Sequence, residues 1–203
     1  PKWVDAPADE RADHFKELAY QTVLDHVKGV LRGFGLEFDV WYSERSTYAL
    51  DEDGSSRLTR TLDALKEKGF LYEKDNAVWF RTSDFGDDKD RVLVKADGTY
   101  TYFAPDIAYH KNKFDRGFNR CIDILGADHH GYIKRIQSVG HVFGHPGQPE
   151  VVIGQMVNLF RNGEPVRMSK RTGEMVSFEE VLDEVGADAT RFLMLGRSTD
   201  QTI

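Results

Sequence analysis

The sequence predicts an α/β fold in which an amino-terminal helix-and-hairpin part, residues 1–90, precedes a parallel-sheet part, residues 91–203. Two observations predict the first part: apolar residues recur there at helical spacing, and a polar turn separates two short apolar runs. A third predicts the second part, because two apolar runs alternate with helical segments, as the strands of a parallel sheet do. With 203 residues and 40% hydrophobic content, the chain is long enough to bury a sizeable core.

The amino-terminal part begins with a long amphipathic helix. Its apolar residues recur every three or four positions across residues 8–34, and Gly33 and Gly35 are predicted to end it. Apolar and polar residues alternate over 36–44, which predicts a strand. A leucine stripe over 58–65 then predicts a second helix that Gly69 terminates.

Hairpins and an acidic loop follow these helices. A polar turn at residues 75–76 predicts a hairpin between the apolar runs on either side of it. The acidic segment 84–90 is predicted to be a solvated surface loop. An Asp-Gly dipeptide at 97–98 suits the positive backbone angles of a second tight hairpin, after which Pro105 stands at a first helical position.

The parallel-sheet part is predicted from alternating strands and helices. A buried strand over 120–126 ends in glycine, a helix spans 131–142, and a second strand follows in 150–160. A turn at 162–163 leads into a polar loop. Ser and Glu at 177 and 180 have the spacing of a capping box, which begins the closing helical segment.

Composition excludes several classes of protein. The formal net charge of -7 and the pI near 5.5 give no general basic field that would draw the surface to nucleic acid. Cys121 is the only cysteine, which excludes an internal disulfide and a cysteine-based zinc site and fits a cytoplasmic protein. The chain also lacks an apolar run long enough to span a bilayer, so no membrane partner is expected.

A cluster of cations lies in the stretch "VRMSKRTGEMVSFEEV", residues 166–181. Lys170 and Arg171, flanked by Ser169 and a threonine, offer a point charge, a planar donor fork and hydroxyl donors to phosphate oxygens. Such a clamp suits a transition state in which charge grows on a leaving pyrophosphate. The alternative is a solvated basic loop, which is the usual meaning of a short charge cluster.

A second cluster stands where a predicted strand ends, in "LGADHHG". Ligands of open α/β sheets bind beyond the carboxyl ends of strands, so this cluster is a candidate nucleotide site. Gly126 would allow close approach, Asp128 would accept from a ribose hydroxyl, and His129 and His130 complete the cluster. A zinc site is the rival interpretation, but no third well-spaced ligand accompanies the two histidines.

A third candidate is the pair Tyr102 and Asp106 in "TYTYFAPDIAYH". We expect Tyr102 at a strand end and Asp106 in the first turn of the following helix, where a phenol and a carboxylate would converge on a cationic substrate group. The alternative is that Asp106 only complements the positive end of that helix.

Taken together, "YTYFAPDIAYHKNKF", "DILGADHHGYIKR" and "VRMSKRTGEMVSFEEVLDEVGADATRFLML" resemble arginyl-tRNA synthetase of the bacterial type. Their order along the chain is the family's order. The stretch "RMSKRTG" is similar to the KMSKS loop of class I aminoacyl-tRNA synthetases, with Arg167 in place of its first lysine and Arg171 in place of its final serine.

The resemblance implies a partial Rossmann-like (HUP-type) catalytic domain that activates L-arginine with ATP, with Mg²⁺ on the ATP phosphates, and esterifies tRNA(Arg). Lys170 would stabilise the phosphates, and Tyr102 and Asp106 would hold arginine. His129 stands near where some relatives place a substrate-facing glutamine. The remaining implied positions comprise the loop residues Met168, Ser169 and Arg171 and the nucleotide-binding residues Gly126, Asp128, His130, Gln155, Met156 and Val157.

The HIGH-type motif that class I synthetases use for ATP does not occur in the sequence; "HVFGH" at 141–145 follows the substrate motifs instead of preceding them. The expectation is therefore an internal fragment, inactive in isolation, of an enzyme that is monomeric at full length. Residues 1–90 would be insertion-like elements, and 91–203 the second half of the nucleotide-binding domain. A non-catalytic module that binds tRNA or arginine, or another adenylate-forming enzyme, remains an alternative.

Overall fold

The computed structural model describes residues 3–155, 157–161, 163–165 and 176–198. The chain forms two compact units. The first contains the described residues up to Trp41 together with those from Val157 to Ser198, and the second runs from Tyr42 to Gln155. The predicted α/β class is confirmed.

The elements are as follows in chain order. The helices are α1 (Ala8–Gly33), α2 (Arg45–Tyr48), α3 (Arg57–Glu67), α4 (Phe103–Asp115), α5 (Ile133–Val142), α6 (Phe178–Val185) and α7 (Ala187–Leu195). The strands are β1 (Leu71–Lys74), β2 (Ala77–Phe80), β3 (Arg91–Val94), β4 (Ile122–Gly126), β5 (Glu150–Gly154), β6 (Phe160–Arg161) and β7 (Glu164–Pro165). Two 3₁₀ segments are Thr82–Phe85 and Ala127–Tyr132.

An antiparallel sheet of order β1-β2-β3 lies in the second unit. The β1–β2 hairpin pairs Leu71 with Phe80, and its turn residues Asp75 and Asn76 adopt positive φ angles of 54° and 57°. Asparagine and aspartate tolerate that conformation better than other non-glycine residues, which explains why this turn could be predicted.

The core of the second unit packs between this sheet and helices α3, α4 and α5. Leu58 and Leu65 of the predicted leucine stripe are fully buried, as is Phe80 on β2. Helix α3 begins at a capping box in which Ser56 and Thr59 bond each other's backbone N–H groups. Further buried members of the same cluster are Leu93, Phe103, Ala104, Ile107, Ala108, Ile136, Val139 and Val142.

The parallel pair β4–β5 is the second sheet of this unit. It runs in register from Ile122 opposite Glu150 to Gly126 opposite Gly154, so both carboxyl ends lie at one edge. The expected burial of β4 is wrong, because Ile122 is 48% exposed and Ile124 is 78% exposed. An apolar run indicates that a strand can be buried, but the described residues do not cover this face.

Three local expectations are wrong or only partly confirmed. Residues 36–44 form no strand in the described structure, because their backbone has no partner strand there. The rings of Phe38 and Trp41 contact each other instead. The second predicted hairpin turn is present, since Gly98 has a φ of 80° and the Lys95 N–H donates to the Thr99 carbonyl, but its second strand is reduced to a single bridge between Val94 and Tyr100. The acidic loop is not wholly solvated, since the side chain of Asp87 is only 2% exposed.

The first unit pairs α1 with the carboxyl-terminal helices. The rings of Phe34 and Phe178 meet edge to face at 5.0 Å, and Arg191 donates to the Phe34 carbonyl at 2.5 Å. The predicted capping box is present, since Ser177 accepts from the Glu180 N–H and Glu180 accepts in return from Ser177. No helix of the described residues is long and apolar enough to cross a membrane.

The sequence-predicted boundary between residues 90 and 91 lies inside the second unit. Strands β2 and β3 pair across it, and α3 packs against α4 across it. The division into 1–90 and 91–203 stays a prediction about the organisation of the longer protein.

Candidate functional site

The carboxyl ends of β4 and β5 form the edge at which the candidate site is built. Gly126 pairs with Gly154 there, and the chain then turns directly into the 3₁₀ segment Ala127–Tyr132. A Cβ atom on Gly126 would lie 2.8 Å from the Asp128 carboxylate, so the glycine leaves space for that side chain to fold back over the strand end. The two residues are therefore in close contact, and their contact with a nucleotide stays a prediction.

The two histidines of the cluster stand in solvent. His129 lies 3.7 Å from Asp128 through its Nε2 atom, with side-chain exposures of 57% and 80%, and His130 is exposed. They line an open groove of about 730 Å³, which Asp87 and Asp88 also line. Within the described ranges, no group of three or more His, Cys, Asp and Glu side chains could hold a metal ion.

Asp106 lies in the first turn of α4, as predicted, and its carboxylate accepts a hydrogen bond from the Tyr132 hydroxyl. Tyr102 occupies the N-cap position of α4 instead of a strand end, and its side chain is 92% exposed. Among the described residues, Tyr132 is thus the side chain that bonds the Asp106 carboxylate. Convergence of Tyr102 and Asp106 on one ligand stays a prediction.

Tyr132 is the site residue that the sequence reasoning missed. Burial, followed by the charge and hydrogen bond of Asp106, raises the pKa of Tyr132 far above its ordinary value. Its ring meets Phe103 edge to face at 6.0 Å, and the Arg135 guanidinium lies 4.9 Å from the ring centroid. An aromatic residue directly before a helix that follows a polar strand end was a visible signal, but its partner is 26 residues away.

The acidic loop contacts Arg135, the residue whose guanidinium lies over the ring of Tyr132. Asp87 accepts two hydrogen bonds of 2.8 Å from Arg91, and its Oδ2 atom lies 3.9 Å from Nε of Arg135. Burial alone would raise the pKa of Asp87, but hydrogen bonds from Arg91 and its other neighbours outweigh burial and hold that pKa well below its usual range. The loop therefore presents a fixed carboxylate to Arg135.

A second ionic cluster joins α4 to β4. His110 places Nδ1 2.8 Å from the Asp106 carbonyl and Nε2 2.6 Å from Asp123, and Lys113 donates to Asp123 at 2.7 Å. Burial would raise the pKa of Asp123, but His110 and Lys113 together lower it to about 2. Because Asp123 belongs to β4 and the other two residues to α4, the cluster fixes the helix that carries Asp106 against the strand.

The remaining predicted site residues lie near the end of β5, in the other unit, or outside the described residues. Gln155 directly follows β5 and is exposed, and Val157 belongs to the other unit. The predictions for Met156, Met168, Ser169, Lys170 and Arg171 fall outside the described residues. The Asp106 carboxylate is thus held by Tyr132, which lines the open groove near the end of β4. Such an arrangement can bind a cationic group beside a second ligand.

The chain matches a known protein family along most of its length. Residues 12–201 match the family described as tRNA synthetases class I (R), catalytic domain. The arginine–tRNA ligase of Oceanobacillus iheyensis is 51% identical over 203 residues, which is 100% of this chain and 36% of that protein. The arginine–tRNA ligase of Bacillus subtilis is 48% identical over 200 residues, 98% of this chain and 35% of that protein. The chain thus spans little more than a third of the length of these relatives.

Solved structures agree with the sequence matches. A putative arginyl-tRNA synthetase from Campylobacter jejuni superposes with a TM-score of 0.86 at 37% identity, covering 97% of this chain and 42% of that one. Arginyl-tRNA synthetase from Thermus thermophilus gives a TM-score of 0.64 at 15% identity, covering 86% and 39%, which supports the fold alone. These matches confirm the predicted partial Rossmann-like α/β fold.

Proposed function

Since this chain belongs to the family of class I arginyl-tRNA synthetase catalytic domains, we propose that the full-length enzyme containing it is an arginine–tRNA ligase. The arginine carboxylate displaces pyrophosphate from ATP to give arginyl-adenylate. The terminal adenosine of tRNA(Arg) then takes the arginyl group through a ribose hydroxyl and releases AMP. The 203-residue chain alone is inactive in this proposal.

The observation that carries the choice of amino acid is the carboxylate of Asp106. It lies in the first turn of α4, accepts a hydrogen bond from the Tyr132 hydroxyl, and forms no ion pair with a described side chain. A carboxylate in this position matches a guanidinium, which can donate two parallel hydrogen bonds to it. Tyr102 and His129 are the further residues assigned to arginine in this proposal.

The nucleotide half of the proposal rests on the adjacent strand ends. ATP would lie over Gly126, Asp128 and His130, with Gln155, Met156 and Val157 at the adenine. This placement is supported by the general position of ligands beyond the carboxyl ends of parallel strands and by the glycines paired there.

The polar loop supplies the phosphate contacts in this proposal. Lys170 would stabilise the phosphates as pyrophosphate leaves, with Met168, Ser169 and Arg171 shaping the loop. Mg²⁺ would arrive on the ATP phosphates, because this ion is usually bound through substrate phosphates together with one or two carboxylates. A cytoplasmic location and a monomeric full-length enzyme complete the proposal.

Arginine-dependent exchange of pyrophosphate into ATP by the full-length enzyme, with tRNA(Arg) present, tests the proposal. Asp106→Asn removes the charge that we assign to the guanidinium and should raise KM for arginine about 30-fold or more, because an unpaired charge in such a contact costs about 2–5 kcal/mol. KM for ATP should stay close to that of the unaltered enzyme.

The matched control is Asp115→Asn on the same helix, where the carboxylate pairs with Lys111 at 2.8 Å and is 49% exposed. It should leave both KM values unchanged. Exchange that does not depend on arginine would refute the amino-acid assignment. Binding of arginine without any exchange by the full-length protein would favour the non-catalytic module instead.

A further inference from the structure

The hydrogen bond from Tyr132 to Asp106 determines how the carboxylate is presented. An aspartate carboxylate attached through a single rotatable bond can turn its plane, and two parallel hydrogen bonds from a guanidinium require that plane to be fixed. The hydroxyl of Tyr132 donates to Oδ2 of Asp106. We infer that Tyr132 is a positioning residue that fixes the Asp106 carboxylate for a planar guanidinium, an inference that rests on the proposed function.

The hydroxyl of Tyr132 can only act as a donor here. Burial and the neighbouring Asp106 raise the pKa of Tyr132 far above the usual value of 10.0, so the phenol keeps its proton at neutral pH. A neutral hydroxyl facing a carboxylate donates its proton to the hydrogen bond, and Oδ1 together with the second lone pair of Oδ2 can still accept two hydrogen bonds from a ligand.

The ring of Tyr132 is itself held on two sides. Phe103 meets it edge to face at 6.0 Å, and the guanidinium of Arg135 covers its face at 4.9 Å. Arg135 in turn lies 3.9 Å from Asp87, which Arg91 of β3 holds by two hydrogen bonds. A connected set of contacts thus runs from the antiparallel sheet to the carboxylate.

This arrangement favours a planar cation over a compact one. With Oδ2 bonded to Tyr132, the guanidinium would meet a carboxylate of fixed orientation, and the entropy of fixing it does not have to be lost when the ligand binds. An ammonium group is a point charge with rotatable donors and gains less from such orientation. Tyr132 would therefore contribute to the selection of arginine and not to the binding of ATP.

The test is Tyr132→Phe in the full-length enzyme, measured by pyrophosphate exchange and by thermal unfolding. Phenylalanine keeps the ring contacts with Phe103 and Arg135 and removes only the hydroxyl. We expect KM for arginine to rise roughly 10-fold, the usual range for a lost hydrogen bond to a charged group. KM for ATP and kcat should each change less than about twofold, within the scatter of such measurements.

The chain offers a closely matched control. Tyr72 also donates to a carboxylate, that of Asp90 at 2.9 Å, and an arginine, Arg81, covers its ring at the same 4.9 Å. Tyr72→Phe removes a comparable hydrogen bond within the antiparallel sheet, and it should alter thermal unfolding without moving KM for arginine.

The outcomes separate this inference from the proposed function. An unaltered enzyme without arginine-dependent exchange refutes the function before any variant is compared. If the unaltered enzyme is active, three results for Tyr132→Phe overturn the inference: an unchanged KM for arginine, an equal rise in KM for ATP, or failure to fold. The last two would assign Tyr132 a structural role.

Discussion

The antiparallel sheet and the parallel strand pair of the second unit differ sharply in how they bury apolar residues. Phe80 and Leu93 of the antiparallel sheet are fully buried against helices of the same unit. Ile122 and Ile124 of β4 are about half and three-quarters exposed. The first sheet completes its core within the chain, whereas the second offers an apolar face that the described residues leave open.

This difference in burial affects the candidate site, because the site lies between the antiparallel sheet and the β4–β5 pair. Helix α4 packs against α3, which belongs to the antiparallel region, and its ionic cluster holds β4 of the parallel pair. Asp106 is therefore positioned from the well-packed side, while the nucleotide would bind on the less covered side. In the proposed full-length enzyme, further residues would cover the β4 face.

The largest effect should come from removing a side chain of the complete core. Phe80→Ala deletes a fully buried ring that packs near Phe85 and Phe103. We expect the free energy of unfolding to fall by about 3–5 kcal/mol, because transfer and cavity costs add. Urea unfolding followed by circular dichroism measures this change.

Ile124→Ala is the counterpart in the parallel pair. Since the side chain is 78% exposed, the substitution should cost less than about 0.5 kcal/mol in the 203-residue chain. In the full-length enzyme the same substitution should cost about 2 kcal/mol or more, if additional residues bury it. Equal and small costs in both proteins would show that the β4 face stays open.

An intermediate effect is expected for the ionic cluster that connects the two regions. Asp123 is 11% exposed and its pKa is lowered from 3.8 to about 2 by His110 and Lys113 against the opposing effect of burial. A depressed carboxyl pKa stabilises the fold above pH 4, and that contribution is lost as the pH falls toward 2. Asp123→Asn should therefore cost about 2 kcal/mol at pH 7 and much less near pH 2.

Urea unfolding at pH 7, 4 and 2.5 tests this prediction. Asp115→Asn, which breaks an exposed pair with Lys111, should cost no more than about 0.5 kcal/mol at pH 7. A cost for Asp123→Asn that is independent of pH would contradict the assigned stabilisation and would leave α4 held by packing alone.

The features that could be predicted from the sequence are those that depend on residues close together in the chain. Helix α1, the turn at residues 75–76 and the capping box at Ser177 each follow from residues within a few positions of one another. Parallel strand ends at Gly126 could also be predicted, because the alternation of strands and helices strongly restricts the topology.

What could not be predicted depended on distant partners. The apolar alternation over 36–44 suits a strand, but a strand needs a partner with free backbone groups, and periodicity does not supply one. Asp87 was expected in solvent because charged loops usually are; its burial follows from Arg91 and Arg135, which the fold brings beside it. Tyr132 was missed for the same reason, since its role depends on Asp106 across the unit.

The two capping boxes differ in burial as the two sheets do. Ser56 begins α3 over the complete core and is 3% exposed, whereas Ser177 begins α6 in the first unit and is exposed. Water can replace a lost cap only where it reaches the helix end, so Ser56→Ala should cost about 1–2 kcal/mol and Ser177→Ala about 0.5–1 kcal/mol. Urea midpoints of the two variants measure the difference. If Ser177→Ala were the more costly, the packing around α6 would be tighter than its exposure indicates, and burial of the cap would not be what separates the two helix ends.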